Sequence, residues 1–343
     1  MRILVIRNSK HKNSYTTCIH TLLEEIGRRH DYKITFTDSF KELPGTGNVI
    51  TFITVPEASF INKLLQQQRL QSFTIRNKFD LLIQNAGSVI KQKRNPQLLI
   101  ADDIDQLPAI KKISISKIFL LTYSHFAKLS IINKGFTDIT HVVPFFADPV
   151  FQPINWSMKQ QVKIDYTEGS EYFILPQSFY SIDEILNLLK AFSGFKKWQQ
   201  SGMKLVFTGR LYTPLSDWEE KLGTYKYRED VLMYNNLQEQ EKARLLAGAY
   251  ACIHLPKKDN DLLPLLQSLQ CHTPVITTEA ASAHEYVANA GLTTSDTFSE
   301  ITQQMILMYK DENLRSKLIE NCALQSNELS KEKALQALEA IIF

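Results

Sequence analysis

The residues best suited to chemistry cluster between Ala249 and Gly291. An apolar run there, ACIHL, ends in a polar loop from Pro256 to Asp261, and a helical stretch, Leu262 to Cys271, follows. A strand that ends in a polar loop and opens a helix is where open α/β sheets hold ligands. Free backbone N–H groups and the positive end of the helix dipole meet an anion there, most often a phosphate. Lys257, Lys258 and Arg210 are the cations that chain order could bring to that crevice; a solvated surface is the competing account of all three. A second acidic feature, Asp102-Asp103, follows the run QLLI. An aspartate at a strand end acts as a base, accepts a hydroxyl hydrogen bond, or simply caps a turn. His254 ends the ACIHL strand and reads as a satisfied core histidine.

Several chemistries lose their usual support. The eight histidines do not pair with acidic or cysteine neighbours at ligand spacings, and Cys18, Cys252, Cys271 and Cys322 show no metal pattern. No metal is therefore expected. No Gly-x-Ser-x-Gly, Walker loop or GxGxxG occurs, which argues against esterase, NTPase and dinucleotide readings. A net charge of +3 with dispersed Lys and Arg does not suit a nucleic-acid partner. Lys91-Gln92-Lys93-Arg94 is the densest basic run, either a solvated loop or a contact for an anionic surface, so membrane contact is at most peripheral. No apolar stretch reaches the length of about 18 residues that a spanning helix needs. MRILVIRNSK is too short for a signal peptide, and nothing in the cysteine usage demands an oxidising compartment, so the expected location is cytoplasmic.

The elements that must position these groups alternate as βαβ. A chain of 343 residues suits two domains. In the first half, RILVIR, Lys33–Thr37, Asn48–Thr54, Phe79–Gln84, Gln97–Ile100 and Lys117–Ser124 read as strands, with helices over Tyr15–His30 and Ala58–Leu70. Pro144, Pro149 and Pro153 punctuate a stretch without helical period, placing a linker near Asp148–Glu171. The second half reads as strands Glu171–Leu175, Lys204–Thr208, Val231–Tyr234, ACIHL and PVITT. Its helices are Ile182–Phe195, capped by Ser181 with Glu184 at N3, Gln238–Tyr250, Leu262–Cys271 and Ser282–Ala290. Helices over Thr297–Tyr309, Glu312–Ser326 and Ser330–Phe343 close the chain.

Pro264-Leu265-Leu266, Gln267-Ser268-Leu269 and Cys271-His272-Thr273-Pro274-Val275-Ile276 resemble the C-terminal signature of the retaining group 1 nucleotide-sugar glycosyltransferases, approximately P-S-x-x-E-G-F-G-L-P-x-L-E-A-M-A-x-G-x-P-V-I. Asp148, Phe151 and Pro153 are similar to a second passage of that family. The resemblance implies the GT-B fold: two Rossmann-like, doubly wound α/β domains facing each other across a cleft. Residues 1–155 would take the acceptor, 170–325 the nucleotide-sugar donor, and 326–343 would form a helix crossing back to the first domain. It implies transfer of a sugar to a glycan or lipid-linked acceptor, with no cofactor beyond the donor substrate. The family's two donor glutamates fall on Asp259, for the sugar, and Gln267, for the ribose, with seven residues between them. Its diphosphate-gripping arginine falls nearest Gln177, leaving Lys257, Lys258 or Arg210 for the phosphates, while Gly209 and Asn235 mark the two turns lining the base. Asn235 is expected there because asparagine tolerates left-handed backbone. Asp102 stands near the family's acceptor-side histidine. The substitutions at the grips also admit a catalytically silent relative that binds or stabilises an active transferase, or an enzyme using an unusual donor through the Lys257-Lys258 loop. Sugar, nucleobase and oligomeric state are left open.

Overall fold

A computed structural model describes residues 1–8, 14–41, 43, 47–55, 60–86, 95–103, 107, 118–136, 139–212, 214–279 and 281–343. The Lys91–Arg94 run, His11 with its loop, and Gly87-Ser88 lie outside the described residues. The chain divides into two compact units, Met1–Phe145 with Lys331–Phe343, and Phe146–Ser330.

The first unit runs β1 (Arg2–Asn8), α1 (Ser14–Arg29), β2 (Lys33–Thr37), β3 (Val49–Val55), α2 (Phe60–Asn77), β4 (Leu81–Asn85), β5 (Gln97–Ile100), β6 (Ile118–Thr122), α3 (His125–Asn133) and β7 (Thr140–Val142). Its strands form one sheet in the order β2-β3-β1-β4-β5-β6-β7, paired in parallel throughout. In β1, Val5 faces Phe52 of β3 on one side and Ile83 of β4 on the other. Ile3, Leu4 and Val5 are fully buried. Burial of both faces is why this strand reads as a continuous apolar run rather than an alternating one.

The second unit runs α4 (Trp156–Thr167), β8 (Tyr172–Leu175), α5 (Ile182–Gln199), β9 (Lys204–Phe207), α6 (Leu215–Gly223), β10 (Val231–Met233), α7 (Glu239–Gly248), β11 (Ala251–His254), α8 (Leu263–Gln270), β12 (Val275–Thr278), α9 (Ala281–Val287), β13 (Gly291–Thr294), α10 (Phe298–Lys310) and α11 (Glu312–Glu328). Its parallel sheet has the order β10-β9-β8-β11-β12-β13. Ranked within the unit this is 3-2-1-4-5-6, the doubly wound order, and the direction of winding reverses between β8 and β11. Loops leaving the strands there diverge and open a crevice. α5 shows how local signals build the layer. Ser181 Oγ accepts from Glu184 N at 3.3 Å and Glu184 Oε2 accepts from Tyr180 N at 3.1 Å. Ile185, Leu189, Phe192 and Phe195 join one core cluster with Phe173, Leu205 and Phe207 of the sheet. Each such side chain contributes about 2 kcal/mol by leaving water.

The last helix, α12 (Lys331–Ile342), belongs to the first unit and packs on α1. Ala334, Leu335 and Leu338 are buried, and Arg29 grips Glu332 through two hydrogen bonds of 3.0 and 2.6 Å.

Some elements depart from the sequence reading. The stretch read as an irregular linker contains α4, capped by Asn155, whose Oδ1 accepts from Met158 N at 2.9 Å. Its apolar residues form no stripe: Trp156 and Ile164 are largely exposed, while Val162, Lys163 and Thr167 are buried. α2 continues seven residues past Leu70, burying Phe73. β7 and β13 are edge strands of three and four residues, too short to carry a period. Among the described residues no helix is long and apolar enough to cross a membrane.

Candidate functional site

At the carboxyl edge of the second unit's sheet lies a cavity of about 270 Å3. Buried Ile174, Phe151 and Leu246 line its apolar part. Pro176 and Ser178 enter from the loop after β8, and Thr208, Gly209 and Arg210 from the loop after β9. α7 presents Glu239 and Lys242, and α8 presents Leu263, Pro264 and Gln267. These are helical neighbours: Glu239, Lys242 and Leu246 follow an i, i+3, i+7 spacing, and Leu263 and Gln267 stand four apart. Pro264 falls in the first turn of α8, where a missing N–H removes no intrahelical bond.

The loops after β8 and β9 can lie against each other because residue 209 is glycine. A Cβ there would sit 1.5 Å from the carbonyl oxygen of Gln177. Beyond that contact the loops pair as a short parallel bridge at Phe179 and Leu211. Phe179 N donates to Arg210 O, and Tyr212 N to Phe179 O, each at 2.9 Å.

Three of the candidate site residues from the sequence line this cavity, Gln267, Gly209 and Arg210, as do Phe151 and Pro264 of the two motif passages. The others have different surroundings. Gln177 is buried, and its Oε1 accepts from Leu255 N at 2.7 Å and lies 3.1 Å from His254 Nδ1. His254 is fully buried with Nε2 2.7 Å from Asp261 O. Burial lowers the His254 pKa, and the Asp261 charge and carbonyl act the other way. Asp259 accepts from Ser282 N at 3.1 Å and from Ser282 Oγ at 2.6 Å, at the start of α9. The polar loop from Pro256 to Asp261 is thus tied at His254, at Gln177 and at Asp259. Lys257 pairs with Asp296 at 3.6 Å, and Lys258 is exposed. Asn235 is exposed in its turn, but the left-handed residue is its neighbour Asn236, at φ 62°. That corrects the expectation by one position. In the first unit Asp102 is buried at the end of β5, where its Oδ2 accepts from Thr16 Oγ1 at 2.8 Å and Asn85 Nδ2 at 2.7 Å.

The sequence reading missed the α7 contribution. Glu239 and Lys242 pair at 3.2 Å on the cavity side of a helix whose position in the chain had been read correctly; their three-residue spacing was the available signal. Among the described residues no three His, Cys, Asp or Glu side chains could together hold a metal.

A doubly wound sheet with a cavity at its winding reversal, following a separate parallel-sheet unit, is the fold of the GT-B glycosyltransferases. Residues 159–325 match the family model described as glycosyl transferases group 1. Over 98% of both chains the structure resembles WaaG, a glycosyltransferase involved in lipopolysaccharide biosynthesis, with 12% identity and a TM-score of 0.71. It resembles Anabaena Alr3699/HepE in complex with UDP-glucose over 99% of both chains, at 13% identity and 0.74. It also resembles the sucrose-phosphate synthase of Thermosynechococcus elongatus over 100% of this chain and 98% of that one, at 11% identity and 0.75. At such identities the likeness is one of fold. No curated protein matches in sequence.

Proposed function

We propose that the protein transfers a sugar from a nucleoside-diphosphate sugar to a glycan or lipid-linked acceptor, and does so without a metal. The observation that carries this reading is the cavity at the winding reversal of the second sheet, with Gln267 on its wall. At about 270 Å3 it falls just under the range of about 300–1,000 Å3 typical of small-molecule sites. That room suits a nucleoside, with the phosphates and sugar extending from it. The Gln267 amide both donates and accepts, which matches a pair of ribose hydroxyls. The leaving diphosphate would meet the amino end of α8 and the Arg210 guanidinium, which together supply the charge stabilisation a metal otherwise provides. Asp259 and Asp102 enter as groups that orient the sugar-side and acceptor-side loops. HepE is known in complex with UDP and with UDP-glucose, which puts uridine first among the bases to test.

A second reading, a silent relative that binds or stabilises an active transferase, is favoured by one observation. Gln177, Asp259 and Lys257 are all engaged within the protein rather than lining the cavity. Calorimetric titration with UDP, GDP and ADP, followed by an assay for nucleoside diphosphate released from the matching sugar donors, separates the two. Transfer predicts saturable binding of one diphosphate, slow release from its donor, and about tenfold weaker binding in Gln267→Ala through loss of its hydrogen bonds. Binding by none of the three supports the silent reading.

A further inference from the structure

A diphosphate entering this cavity needs a cation that is free to meet it, and the cations nearby are not equivalent. Lys242 lines the cavity but already pairs with Glu239 at 3.2 Å. Lys257 pairs with Asp296 at 3.6 Å and lies outside the lining, as does Lys258. Arg210 lines the cavity and has no carboxylate partner among the described residues. What it has instead is an aromatic face. Its Cζ stands 5.2 Å from the centre of the Tyr212 ring. Tyr212 in turn stacks on Tyr180, with ring centres 4.8 Å apart and planes 2° from parallel.

The backbone explains the stack. The bridge at Phe179 and Leu211 sets the two loops side by side in strand-like register, so the next residues, Tyr180 and Tyr212, also stand as neighbours. Alternation along each loop sends Phe179 inward, where it is fully buried, and Tyr180 outward, where it is 66% exposed. Arg210 lies two residues before Tyr212 and so shares its face. Gly209 permits the approach that puts the whole ladder in place. The backbone N–H of Tyr180 is fixed by Glu184 Oε2 at 3.1 Å, so the stack rests on the first turn of α5.

We infer that Tyr212, backed by Tyr180, is a positioning residue that holds the Arg210 guanidinium uncompensated at the cavity for a diphosphate. A carboxylate in the same place would orient the guanidinium equally well but would neutralise it. A ring face attracts the cation through its quadrupole and leaves the full charge and the forked N–H donors available for phosphate oxygens. A guanidinium held in this way also gives up less side-chain freedom when the phosphates arrive. The inference rests on the nucleotide-sugar reading above and says which side chains carry its charged half.

The test compares each nucleoside diphosphate, UDP, GDP and ADP, with its bare nucleoside by calorimetry, on the full chain. Tyr212→Leu is expected to weaken the bound diphosphate by about five- to tenfold. It should leave the nucleoside within twofold and flatten the salt dependence. Tyr212→Phe, which keeps the ring, is expected to bind like the wild type, and Arg210→Ala to lose most of the diphosphate preference, the amino end of α8 supplying what remains. Equal weakening of nucleoside and diphosphate by Tyr212→Leu overturns the inference, as does an undiminished diphosphate preference in Arg210→Ala. Wild-type protein that binds no nucleoside or diphosphate overturns the donor-site reading and this inference together. Wild-type binding that Tyr212→Leu leaves unchanged overturns the stack alone.

Discussion

His20 on α1 shows how a single side chain sets a pH limit on this fold. Its ring meets Phe52 edge to face at 6.1 Å, and its Nε2 is buried without a hydrogen-bond partner among the described residues. Burial first, and the Arg7 charge second, push its pKa down to about 3 from 6.5. The folded chain therefore refuses a proton that the unfolded chain accepts below pH 6.5. Stability is fully present above that pH and falls as pH drops toward about 3, by up to about 1.4 kcal/mol per unit. Replacing His20 with phenylalanine removes the penalty. The urea midpoint of His20→Phe, relative to wild type, should therefore be higher at pH 4.5 than at pH 7.5 by an amount equivalent to about 2.5–3 kcal/mol. A difference between variant and wild type that is the same at both pH values would assign the acid limit to other groups.

At the scale of elements, the loops around the cavity are held by contacts that leave little slack. A Cβ on residue 209 meets backbone rather than a movable side chain, so Gly209→Ala must part the loops after β8 and β9. The expected cost is at least about 2 kcal/mol, read as a lower melting temperature together with loss of nucleotide binding. Asp259→Ala removes both hydrogen bonds to Ser282 at the start of α9 and should cost about 1–2 kcal/mol, with faster amide exchange across 281–287. Asp259→Asn, which keeps an acceptor, should cost less. These contacts also mark how far the sequence could be read. α5 was legible because its cap, its N3 glutamate and its apolar stripe agree. α4 was not, because its buried positions include a lysine and a threonine and its large apolar residues face water. The resemblance to the group 1 family pointed to Gln267 and Gly209, and chain order to Arg210, all three of which line the cavity. The service of Gln177 to the loop after β11 and of Asp259 to the start of α9 could not be read, since polar residues suit a ligand and a backbone N–H equally well. The Tyr180–Tyr212 stack joins residues 32 positions apart, and only the register at Phe179 and Leu211 brings them together.

At the scale of the whole molecule, the chain leaves the first unit at Phe145, builds the second, and returns at Lys331. The first unit is therefore incomplete until residues 331–343 are made. α12 brings it Leu335 and Leu338, both buried, along with ion pairs from Glu332 to Arg29 and from Lys331 to Glu25 at the surface of α1. The two classes of contact differ in weight. Exposed pairs of this kind are screened by water and salt and contribute little, whereas truncating a buried leucine to alanine costs about 2–5 kcal/mol. Leu338→Ala should therefore lower stability several-fold more than Glu332→Gln, and its effect should be confined to the first unit. Hydrogen exchange resolved by peptide is the measurement: amides of α1 and α12 should lose protection, while those of α5 and α8 keep theirs. Ending the chain at Ser330 should exaggerate the same pattern. Nucleoside affinity should persist in that protein, because every residue lining the cavity belongs to the second unit. Equal loss of protection across both units would show instead that they fold as one cooperative body, with α12 serving the whole rather than the unit it joins.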